Sequence, residues 1–159
     1  MSTVQPKKRI DWPSLEVKKF SPTIYTYNAK KTCGTAALAV ITGEDPYDID
    51  VSPIKGKSKH WSDRAILRYL TKRKYEIYPI SVPNIKTSNT YVQQPITENH
   101  VVLLSMRVTS RQSTWCVLFK DLLYHGAEIL PLRPMEFLNN KLYSSYVLFR
   151  PEWGYSNNY

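Results

Sequence analysis

Residues 32–42 read TCGTAALAVIT. Ala36, Ala37 and Ala39 are strong helix formers, Thr32 is an acceptable N-cap, and Gly43 is a natural residue to stop a helix. Apolar residues fall on nearly every face, so the pattern predicts a helix buried on all sides. Downstream, Glu44 to Asp50 suggests a second short helix, with Asp45 as its cap and Pro46 at its first position. The acid pair Glu44 and Asp45 therefore reads as capping chemistry, not as a catalytic dyad. A third helix, DRAILRYLTKRK from Asp63, has Ser62 as its cap. Ile66, Leu67 and Leu70 form its apolar stripe, and Lys72, Arg73 and Lys74 sit at the end that favours cations.

Beyond these helices the pattern changes. Residues 51–60 form a basic loop, 75–82 (YEIYPISV) alternate as a strand, and 83–97 form a loop long enough to be a flap or a binding loop. From His100 onward the segments HVVLLSMRV, TWCVLFKD, LLYHG, AEILPL and YSSYVLFR read as strands, with a turn of helix near 134–140. Helices first and strands later predict an α+β fold with a largely antiparallel sheet. Residues 1–31 are rich in Lys, Pro and Ser, with apolar anchors at Trp12, Leu15, Val17 and Phe20. They read as an extended basic arm with a short strand at Thr23–Tyr27, leaving 32–159 as a single domain.

The length of 159 residues fits one domain, and 42% hydrophobic with 22% charged residues is a globular composition. No apolar run approaches the roughly 18 residues of a membrane span. The start MSTVQPKKRIDW has no apolar core of a secretory leader, so a cytoplasmic or virion location is expected. Two cysteines are too few for a disulfide scaffold, and three separate histidines lack metal-ligand spacing. No metal and no cofactor are expected. The net charge of +9 is concentrated in residues 1–31 and 55–74. It favours acidic partners, including non-specific contact with nucleic acid, although a solvated basic face has the same composition.

Three segments carry chemistry together. Cys33 opens the buried helix, His100 opens a strand, and Asp121 ends the next strand. A thiol at a helix N-terminus faces unpaired N–H groups and the positive end of the dipole, which favour thiolate. An imidazole can take and return its proton, and a carboxylate can hold that imidazole in one tautomer. Gly34 would leave space for a substrate backbone, and the Cys33 N–H could donate to an oxyanion. Other readings of the same residues stay open. His125, in LLYHG, is an alternative base or a turn histidine, and Asp121 is also a common way to begin a turn. Cys33 could be a small buried hydrophobe, Cys116 reads as core, and His60 reads as surface. Trp61 and Trp115 read as core or cleft-wall aromatics.

The order of these pieces resembles a family. Cys33-Gly34-Thr35-Ala36-Ala37-Leu38-Ala39, then Asn99-His100-Val101-Val102-Leu103, then Trp115 to Lys120-Asp121 is similar to the papain-like cysteine peptidases. The compact bacteriocin-processing peptidase domains are the nearest likeness, over about residues 28–121. The resemblance implies a papain-like α+β fold and thiol-dependent hydrolysis of a peptide or isopeptide bond in a protein substrate. Cys33 would be nucleophile, His100 base and Asp121 orienting acid. The family places a Gln shortly before the Cys; here YTYNAKKTCG offers Asn28 as the nearby amide for the oxyanion. Losing one such donor costs about 10²–10³ in rate. The rival expectation is an idle domain of this fold, serving as a structural part of an assembly such as a phage virion. In that case residues 1–31 would hold the partner.

Overall fold

The computed structural model describes residues 15–23, 33–54, 60–79, 98–109, 112–126, 128–131 and 142–155. Helix α1 spans Cys33–Thr42 and α2 spans Asp63–Lys72, with a 3-10 turn at Pro46–Asp48 between them. Strands follow at Glu76–Pro79 (β1), Val101–Thr109 (β2), Gln112–Phe119 (β3), Leu122–His125 (β4), Glu128–Pro131 (β5) and Leu142–Phe149 (β6). They form one sheet in the order β1-β6-β2-β3-β4-β5, and every pair is antiparallel. The chain is therefore α+β, with the two helices preceding the sheet.

Local chemistry explains the helix ends. Gly43 takes φ +79 and returns its N–H to the Ala39 carbonyl, closing α1 in the left-handed conformation that glycine adopts without strain. Asp45 accepts the Tyr47 N–H at 2.9 Å, and Ser62 accepts the Ala65 N–H at 3.1 Å, so both side chains cap as their spacing suggests. Helix α2 stops at Lys72, two residues before the basic run ends, because Lys74 turns to φ +71. Its buried face is Ile66, Tyr69 and Leu70, with Leu67 only half-buried. Tyr69 takes the inward position because its hydroxyl, at the ring's far end, donates to Glu44 at 2.9 Å. Glu44 thus looks to α2 and not to a cap. Its carboxylate also accepts from Arg73 Nε at 2.8 Å, and the guanidinium lies 3.5 Å over the Tyr69 ring. Burial pushes the Glu44 carboxyl up, but its bonds to Arg73 and Tyr69 outweigh that and hold it below its ordinary value.

The core lies between the helices and one face of the sheet. Val101 and Leu103 of β2, Trp115, Val117 and Phe119 of β3, and Leu148 of β6 meet Leu38, Val40, Ile66 and Leu70 there. The opposite face, with Val102, Leu104, Cys116, Leu118 and Val147, is equally buried. This explains why VVLL does not alternate: both faces of the strand are dry. Residues 15–23 join the same core. Leu15, Val17 and Phe20 are buried, Phe20 stacks edge-on against Phe119, and the Val17 N–H donates to the Asn99 carbonyl at 2.8 Å. This part of the N-terminal stretch is a packed strap, not a free arm. Thr23 is not in a strand, and residues 24–27, the 83–97 loop and the helical turn near 134–140 lie outside the described residues.

Gly34 shows what α1 is packed against. A Cβ built there would lie 2.5–2.9 Å from side-chain atoms of Trp61. Trp61 Nε1 donates to Thr35 Oγ1 at 2.9 Å, and Trp115 Nε1 donates to the Trp61 carbonyl at 2.8 Å. Two fully buried indoles thus tie α1, the start of α2 and β3 together. Gly34→Ala is expected to destabilise the fold by about 1–3 kcal/mol through overpacking, read as a lower urea midpoint.

Candidate functional site

Cys33 is the first residue of α1 and is half-buried. Its Sγ accepts the Trp115 backbone N–H at 3.2 Å. The β3–β4 ladder reaches only to Val117–Tyr124, so the thiol meets β3 two residues past the last paired position. Helix and sheet are therefore joined at the sulfur itself.

His100 lies elsewhere. The β2–β3 ladder pairs Val102 with Leu118, and continuing it places His100 opposite Lys120, whose N–H donates to the Glu98 carbonyl at 2.9 Å. Lys120 is five residues along β3 from Trp115, roughly 16 Å at the rise of a strand. His100 is also fully buried, at 1% exposure. The far end of α1 faces this region: the Val40 carbonyl accepts the Thr23 N–H, and the strap residue Phe20 packs on Phe119. The structure thus places Cys33 and His100 at opposite ends of α1 and does not bring them together as nucleophile and base.

Asp121 accompanies His100 to that distant end. It is exposed and forms, with Lys120, the two-residue turn between β3 and β4. Both residues have positive φ, +54 and +61, the geometry of a hairpin turn whose twist matches the strands. Aspartate tolerates that conformation better than most residues, which accounts for Asp121 structurally. The Lys120 ammonium bonds the Asn99 side chain. Asn28 lies outside the described residues.

The histidine at the thiol's end of the sheet is His125, at the end of β4. Its Nε2 is 2.7 Å from Thr114 Oγ1. Thr114 immediately precedes Trp115, so consecutive residues of β3 hold the imidazole and the sulfur. The path from Sγ through Trp115 N and Thr114 to Nε2 keeps the two groups within about 11 Å. The register supplied a signal for this level but not for the face: once Lys120–Asp121 is the turn, His125 falls opposite Cys116, on the sheet face away from the helices. The space beside Gly34 is taken by Trp61, so it does not receive a substrate backbone. Trp61 and Trp115 are core residues, and His60 is exposed.

Cys116 is buried, and burial, with a smaller contribution from Cys33 nearby, pushes its thiol up to about 12. Among the described residues no group of three or more His, Cys, Asp or Glu is placed to hold a metal ion. No helix among them is long and apolar enough to cross a membrane. Compared with known proteins, the chain matches no family model, no curated sequence and no solved structure.

The buried Cys116 thiol has a consequence in alkali. Its folded value is raised, so its contribution to stability is intact below the ~8.5 of an unfolded thiol and is lost as pH rises toward about 12. Stability is expected to fall by up to about 1.4 kcal/mol per pH unit from this group across that window. Urea midpoints from pH 7.5 to 10.5 should fall less steeply in Cys116→Ala than in the parent protein.

Proposed function

We propose that this chain is a thiol-dependent hydrolase of cysteine-peptidase type, cleaving a peptide or isopeptide bond, with Cys33 as nucleophile and His125 as base. The observation that carries the reading is that both groups sit at one level of β3, the thiol on the Trp115 backbone N–H and the imidazole on the Thr114 hydroxyl. A Cys-bearing helix packed on an antiparallel sheet also supports a compact papain-like architecture. With Nε2 held by Thr114, Nδ1 is the nitrogen that takes the thiol proton, which requires the half-buried ring to swing round the end of β4 from the face of Thr114 and Cys116. Sγ then bonds to the substrate carbonyl carbon, the C–N bond breaks, and the imidazolium returns the proton to the departing amine. Water hydrolyses the resulting thioester.

A second reading has its own support. The Sγ bond to the Trp115 N–H and the indole over Gly34 give both residues a packing role without chemistry. In that reading the domain is idle and serves as a structural part of an assembly.

Iodoacetamide labelling at pH 7, read by peptide mass spectrometry, separates the two. The hydrolase reading expects Cys33 to label faster in the folded protein than in urea, with Cys116 protected as the internal control. His125→Ala should slow Cys33 labelling at least tenfold. Asp121→Gly should leave that rate unchanged and keep the fold, because glycine adopts the positive-φ position without strain. A Cys33 that labels no faster folded than unfolded favours the idle domain. Loss of labelling in Asp121→Gly with the fold intact would instead restore the Cys33–His100–Asp121 assignment.

A further inference from the structure

Away from the thiol, a groove of about 430 Å³ runs beside α2, and Arg64, Arg68, Lys72 and Arg73 line it with Asp50 and Tyr69. We propose that this groove binds the phosphate backbone of nucleic acid. Arg64, Arg68 and Lys72 are spaced four residues apart and are exposed, so they form one row along the helix with about 6 Å of rise between neighbours.

That row works against the helix that carries it. Like charges four residues apart destabilise a helix by about 0.2–0.5 kcal/mol per pair. Arg64 also sits in the first turn, at the positive end of the dipole. Local carboxylates account for Arg73 and in part for Lys72, but not for Arg64 and Arg68. Asp63 accepts the Tyr146 hydroxyl at 2.6 Å, and Glu44 is bound by Arg73 and Tyr69. Asp50 lines the groove, accepting the Ser52 N–H at 2.9 Å and the Ser52 hydroxyl at 3.0 Å, and its carboxylate feels the charges of Lys72 and Arg73. Among the described residues, neither Arg64 nor Arg68 forms an ion pair.

The occupant's chemistry follows from the lining. A regular row of cations suits the regular row of anions in a nucleic-acid backbone better than the irregular charges of an acidic peptide. Arginine forks match phosphate oxygens two at a time. The Tyr69 ring is buried and covered by Arg73, so it offers no surface for base stacking. The groove therefore reads phosphates and not bases, and binds without sequence preference. The net charge of +9 steers the same partner toward the molecule.

The test is fluorescence anisotropy of the full chain with a labelled 20-base-pair DNA across a salt series. Binding at 50 mM NaCl should weaken steeply with salt. The double variant Arg64→Gln/Arg68→Gln should lower the log–log salt slope by about two and raise Kd about tenfold at 100 mM NaCl. Lys18→Gln/Lys19→Gln removes the same charge from exposed positions on the strap and should change the slope by less than one. Thermal melts confirm that both variants fold. The proposal is overturned by no binding at 50 mM NaCl, by an equal loss in both double variants, or by an unchanged salt slope in Arg64→Gln/Arg68→Gln. Displacement by polyglutamate as effective as by unlabelled DNA of equal charge overturns it in favour of an acidic protein partner.

Discussion

The Trp61 indole pressed onto Gly34 is the contact on which the rest of the architecture depends. The ring occupies the volume of a side chain that position 34 lacks, and its N–H satisfies Thr35 within a dry interface. The Trp61 carbonyl then accepts from Trp115, so one residue connects α1, the approach to α2 and the third strand. Buried polar atoms are costly unless paired, and here each indole N–H has a geometrically good acceptor. The position of α1 along the sheet follows from this tie, and with it the level at which Cys33 meets β3.

Much of the fold was legible in the chain because it rests on short-range chemistry. Ser62 and Asp45 cap through bonds two or three residues away, and Gly43 ends α1 through its own backbone freedom. The strand segments from His100 onward are long β-rich runs separated by turn residues. Other features were hidden because they depend on distant partners. Nothing near Glu44 in sequence announces Arg73 and Tyr69, so its local position suggested a cap. The inward turn of Tyr69 in place of Leu67 follows from the same network. Leu15, Val17 and Phe20 looked like isolated anchors, but together they complete the core beside Phe119 and Trp153.

The candidate site shows this limit most clearly. The order of Cys33, His100 and Asp121 along the chain is compatible with either direction of α1 across the sheet, and only the packing of Trp61 and Phe20 selects one. In the selected direction, the helix start lies beside Trp115 and its end lies toward Phe119. A histidine that looked secondary in sequence, His125, then lies at the thiol's level of the sheet. Asp121 finds its explanation in backbone twist at a hairpin.

The sheet order also sets a sequence of events during synthesis. Strands β2 to β5 follow one another as neighbours and can pair as soon as they leave the ribosome. Strand β6 is different: it is inserted between β1 and β2, and β1 has β6 as its partner in the sheet. Among the described strands, the nascent chain therefore carries β1 without its sheet partner, and an open edge on β2 with side chains that are dry on both faces in the folded protein, until residues 142–149 emerge. Such an edge can pair with another chain. The last long strand among the described residues is an interior one, so a product truncated within 142–149 would be left sticky in proportion to how much of β6 is missing.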